Sequence, residues 1–180
     1  MDATETNTVD RRAALRRIGG LTAAAAVGAT AATLLPGQLV GAQTGATPAM
    51  VFHPISPYRA VDTRRQGEAG RLISGFTVQH ALWTDENGVA KIPQTAGAVT
   101  YNLTATQTVG NGFLAIFPGG TTWGGISSIN WTVSHADIAN GGTVGLGPAA
   151  SGPGSVHVHA GGFASTFFVI DVTGYYHALA

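Results

Sequence analysis

The sequence predicts an all-β protein: one antiparallel, jelly-roll-like β-sandwich domain behind a cleaved leader. Three observations carry that expectation. Among 180 residues there are 26 glycines but only nine Lys and Arg together, with many Thr, Val, Ile and Phe. Such a composition builds short strands and turns and lacks the Glu, Lys and Leu of surface helices. Several segments alternate apolar and polar residues with a period of two, and none beyond the leader shows helical periodicity. At this length one domain with a real core is the default.

The elements follow in order. Residues 1–42 read as an export signal. Two arginine pairs, Arg11-Arg12 and Arg16-Arg17, precede the weakly apolar run IGGLTAAAAVGATAATLLPG, and small residues lead to Ala42 as a cleavage position. The pattern resembles a twin-arginine signal, with Ala14 where that pattern has a bulkier apolar residue. A retained membrane anchor is the alternative, disfavoured because Ala, Gly and Thr give little transfer energy and Pro36 interrupts the run. Residues 43–50 are small and polar, a flexible linker. The β-sandwich domain is expected over residues 51–180. FTVQHALW (76–83) and GVAKIP (88–93) read as its early strands, and RRQGEAGR as a loop. AVTYNLTATQTV (98–109) alternates cleanly; GNG (110–112) then reads as a turn leading into GFLAIFPGG, apolar on both faces, so the two form an expected hairpin. SSINWTV, GTVGLG, SVHVHA and FFVIDVTGYY supply further strands between glycine-rich breaks.

In chain order the segments FHPISPYRAVDTR, AVTYNLTATQTVGNGFLAIFPGG, SSINWTV, DIANGGTVGLG, SVHVHAG and VIDVTGYY resemble a β-rich module of secreted and surface proteins of actinobacteria and related bacteria. That module opens with Pro-x-Arg-x-x-Asp-Thr-Arg, matched by Pro57 to Arg64, and closes with Asp-Val-x-Gly-Tyr-Phe, matched by Asp171 to Tyr176 with Tyr in the last place. The likeness runs from about Phe52 to Tyr176. It implies a surface or wall context, since such modules accompany wall-associated or hydrolytic domains or repeat in large surface proteins. One copy is present here, and the chain shows no internal repeat.

Function classes narrow quickly. Nine basic and nine acidic side chains balance, which argues against nucleic-acid binding by phosphate neutralisation. The absence of cysteine excludes disulfides, thiolate metal sites and cysteine nucleophiles. No Gly-x-Ser-x-Gly elbow and no phosphate-binding glycine loop before a helix occurs.

Asp171 is the conspicuous acid, set within an apolar strand. Alternation puts it on the side of Phe167 and Val169, which suggests burial and demands a partner. The expected partner is Arg59 or Arg64, with Asp62 sharing it: a structural clasp of Arg59, Asp62, Arg64 and Asp171 between the first segment and the last strand. A glycosidase would need two carboxyl groups facing a sugar-sized cleft. Asp62, Glu68, Asp85, Glu86, Asp137 and Asp171 show no pairing that points to one, and Asp85-Glu86-Asn87-Gly88 reads as a surface turn. His157 and His159 project from one strand face and are the weak metal candidates, lacking a third ligand in sequence. Trp131 reads as core. Trp123, in the glycine loop GGTTWGGISS, and Trp83 are the rings able to stack on a ligand, or Trp123 folds over its own loop. The expectation is a secreted, non-catalytic protein without cofactor or metal, acting at the cell surface. It would bind cell-wall or matrix glycan, or assemble with copies of itself, with a wall-active hydrolase as the further alternative.

Overall fold

In the computed structural model, residues 49–65 and 70–179 are described. The leader and most of the linker therefore lie outside the described residues, as does Glu68. The domain holds seven strands: β1 (Met50–Asp62), β2 (Leu72–Ile73), β3 (Thr77–Ala81), β4 (Ala98–Pro118), β5 (Ile129–Trp131), β6 (Ile138–Gly145) and β7 (Ser155–Ala178). Every pairing is antiparallel. The all-β antiparallel class is as expected. All seven strands, however, are joined by hydrogen bonds in one sheet instead of the two separate sheets that a sandwich implies.

Two long strands organise it. β4 and β7 pair along nearly their whole lengths, from Ala98 opposite Tyr176 to Pro118 opposite Val156. On the flank of β7 lie β3, β2 and β1 in turn; on the flank of β4 lie β6 and then β5. The sheet thus has two four-stranded halves, β1–β7–β4–β6 and β3–β7–β4–β5, threaded by the same two strands. β7 must bend between them. His80 stands opposite Val156, yet its ring lies 5.5 Å from that of Phe168. A straight strand would carry those positions about 40 Å apart. The Tyr58 hydroxyl, on β1, likewise donates to Leu82 O, beyond β3. The inner faces of both halves share one core, which includes Leu82, Leu103, Leu114, Val158, Phe168 and Ile170.

Several expectations are corrected here. The turn at GNG does not exist, because β4 continues through it. Its glycines serve close approach instead: a Cβ on Gly112 would lie 2.4 Å from the Ala164 Cβ and 2.6 Å from Gly161 O. SVHVHA and FFVIDVTGYY are likewise one strand, interrupted only at Gly162, whose φ of 92° suits glycine. GVAKIP forms no strand, only the isolated bridge Thr84–Ala90. SSINWTV shrinks to the three residues of β5. β1 begins at Met50, inside the expected linker, and runs through two prolines that a β-edge tolerates because one flank needs no donors.

Candidate functional site

The acid in the last strand is held by arginine. Arg59 Nε donates to Asp171 Oδ1 at 2.9 Å and Nη2 to Oδ2 at 3.3 Å, while Nη1 reaches Asp62 Oδ2 at 3.3 Å. Arg64 closes on Asp62 from the other side, Nε to Oδ1 at 2.8 Å and Nη2 to Oδ2 at 2.6 Å. Arg59 and Asp171 are also direct partners in the β1–β7 register, so the side-chain fork repeats a contact that the backbone already makes. The hydrogen bonds and charge of Arg64, assisted by Arg59, hold the Asp62 carboxyl below the usual carboxylate range. The expected burial of Asp171 is partial. Phe168, Ile170 and Val172 are the wholly buried residues of this stretch, so the core lies on the opposite face and the Asp171 side chain keeps 27% of its surface exposed.

Beside the clasp is an open depression of about 390 Å³ lined by Pro57, Tyr58, Arg59, Glu86 and Asp171. Its polar side chains all have partners within the fold. All three Arg59 nitrogens face carboxylates, Glu86 pairs with Arg65 at 3.2 Å, and burial raises the Tyr58 phenol so that it stays a donor to Leu82 O. The remaining described carboxylates are also occupied by structure. Asp85 accepts from the Val89 and Asn87 amides in the expected turn, and Asp137 accepts from Thr106 Oγ1 and the Gln107 amide.

A different arrangement forms on the outer face of the β3–β7–β4–β5 half. Val156 and Val158 point into the core, leaving His157 and His159 on the outside. His157 Nε2 meets Gln79 Oε1 at 3.0 Å, and His159 Nδ1 meets Thr77 Oγ1 at 2.9 Å. Among the described residues no group of three His, Cys, Asp or Glu is placed to hold a metal ion. Trp123 instead lies over this face: its ring stacks on His159 at 4.4 Å and on Phe113 at 5.7 Å. Those two rings neighbour each other on the sheet at 6.2 Å, so both cover the inward side of the indole. Trp123 Nε1 donates to Ile126 O at 2.8 Å, closing the glycine loop and fixing the ring's orientation. The outward side stays open, with 36% of the residue exposed. Desolvation beneath the indole lowers the His159 pKa.

Trp83, the other stacking candidate, packs against the core and against Gly154, so it forms no comparable platform. Trp131 is core, as expected. Phe113 and Phe163 were not foreseen. Phe163 is 88% exposed on the outer side of β7, opposite Asn111 and beyond Gly161. The sequence signal for Phe113 was the apolarity of GFLAIFP on both faces: Phe113 and Phe117 occupy the outer face because the Trp123 loop and His157 cover it.

No family model, no curated protein and no solved structure matches this chain.

Proposed function

We propose that this chain is a secreted, non-catalytic β protein that binds cell-wall or matrix glycan at the cell surface through the Trp123 platform. The observation that carries this reading is the open face of an indole laid flat on Phe113 and His159 and oriented by its own hydrogen bond. A pyranose ring presents apolar C–H faces, and a fixed aromatic plane receives them at little entropic cost. The carboxylates support the absence of catalysis in this reading, because those described are bound by arginine, lysine, hydroxyl or backbone partners. Export by the twin-arginine route rests on the arginine pairs of the leader.

Trp123→Ala tests the site. Retention of the mature protein on purified cell wall or an extracellular polysaccharide is expected to weaken about tenfold, the order of one good aromatic contact. The variant loses two ring contacts and so unfolds at somewhat lower denaturant, but its far-ultraviolet circular dichroism should be unchanged, showing that the sheet is intact. Equal retention of the variant would sink the reading, and so would release of reducing sugar by the wild type. Self-assembly is the second reading, favoured by the edge strand β1, whose first residues Met50, Val51 and Phe52 are exposed and apolar. Its signature is a mass that rises with concentration without wall retention.

A further inference from the structure

The charge distribution narrows the ligand. From Ile92 to Ala180 the sequence carries only two charged side chains, Asp137 and Asp171. Asp171 is bound by Arg59, and Asp137 is bound by Thr106 and Gln107 at a bulge in β4. The remaining charges among the described residues lie in or beside the clasp, in the 85–91 turn, or at Arg71, which sits over the Phe167 ring. None occurs in β3, in residues 112–131 or in residues 155–161, the segments that make the platform.

We propose that the polysaccharide held by Trp123 is an uncharged one, read at its hydroxyl groups by His159 and Asn130. This rests on the glycan reading above and specifies its ligand. A uronate, sulfate or phosphate pressed against this face would lose water and find no cation, which is costly. A hydroxyl finds neutral partners. His159 uses Nδ1 on Thr77, so Nε2 is the ring nitrogen it has left for a ligand hydroxyl that reaches past the edge of the indole. Asn130, directly opposite Phe113 in the β4–β5 register, uses Nδ2 on Ser127 and leaves its carbonyl oxygen. Phe163 lies roughly 10–13 Å farther along β7 than His159, from the rise of a strand, so a chain crossing the platform reaches a second exposed ring before it meets the nearest cation of that strand, Arg71 at Ser165 and Phe167.

Frontal affinity chromatography at neutral pH tests this, on columns carrying laminarin, mannan or arabinogalactan as neutral probes and polygalacturonate or dextran sulfate as anionic ones; a readout by flow suits a chain whose charges balance. At least one neutral probe is expected to retard the protein, with affinity constant within about twofold between low and high salt, because no ion pair is screened. Trp123→Ala should weaken it about tenfold. His159→Phe, which keeps a stacked ring but removes Nε2, should weaken it several-fold, on the order of one neutral hydrogen bond. Retardation by the anionic probes alone, falling steeply with salt, overturns the neutral assignment and leaves the glycan reading standing. Retardation by neutral probes that His159→Phe and Asn130→Ala leave unchanged overturns the assigned hydroxyl readers. No retardation by either class overturns both readings. A concentration-dependent mass abolished by Trp123→Ala would then assign the face to contact between copies.

Discussion

The three nitrogens of Arg59 all face carboxylates, and geometry decides what that is worth. The Arg59 side chain is 39% exposed, as is that of Arg64, so water screens both; the Asp62 side chain is only 8% exposed, so its charge depends on them. Lysine in place of Arg59 would supply a point charge unable to span both oxygens of Asp171 and also reach Asp62. Arg59→Lys is therefore expected to cost about 1–2 kcal/mol in urea unfolding, below the full value of a buried pair because of that screening. Arg65→Lys, at an exposed pair with Glu86, is expected to cost less than about 0.5 kcal/mol. Equal costs would mean that the clasp is only another surface pair. The same site predicts acid sensitivity. The folded pKa of Asp62 is depressed, so its contribution is full above the unfolded value near pH 4 and is lost as pH falls from there through the folded value. Arg64→Met should flatten that acid limb.

At the scale of elements, the sequence made period-two alternation visible and left continuity obscure. Val99, Tyr101, Leu103 and Ala105 were legible as an inward face because each alternates with a polar residue. What could not be read was that Gly110, Gly112 and Gly162 lie inside strands. A glycine in a turn and a glycine making room for a neighbouring backbone look alike in one dimension, and only the register opposing Gly112 to Gly162 distinguishes them. The clasp was legible because a carboxylate in an apolar strand demands a cation and few were available. The extent of its burial was not legible, because both faces of FFVIDV are apolar and alternation did not say which one met the core. The platform was half legible: the indole was visible, but the rings beneath it come from two different strands. Gly112→Ala tests the close-approach role. With Gly161 O at 2.6 Å and the Trp131 ring at 3.2 Å from the added Cβ, backbone must shift, for an expected loss of about 1–3 kcal/mol. Gly124→Ala, with nothing within 4 Å, should change stability by less than about 0.5 kcal/mol. A neutral Gly112→Ala would mean that the bend absorbs the methyl group freely.

For the whole molecule, two strands crossing both halves make independent unfolding of either half implausible on physical grounds. Releasing β3–β7–β4–β5 would leave β4 and β7 paired only from Ala98 to the bend and would strip the core cluster of Leu114, Val156, Val158 and Trp131. The residues facing them, Phe168 and Ile170 among others, would then open to water, and each such side chain loses about 1.5–3 kcal/mol of burial. Nature has distributed the reporters conveniently. Trp83, Trp123 and Trp131 all belong to the β3–β7–β4–β5 half or the segments attached to it, whereas Tyr58, Tyr101, Tyr175 and Tyr176 all lie on β1, the first part of β4 and the last part of β7. Tryptophan fluorescence and tyrosine near-ultraviolet signals therefore report different halves of one sheet. Their denaturant transitions are expected to coincide in midpoint and slope, with far-ultraviolet circular dichroism following the same curve. A tryptophan transition at lower denaturant than the tyrosine one would show instead that the platform half opens by itself, and that β4 and β7 act as hinges between two units.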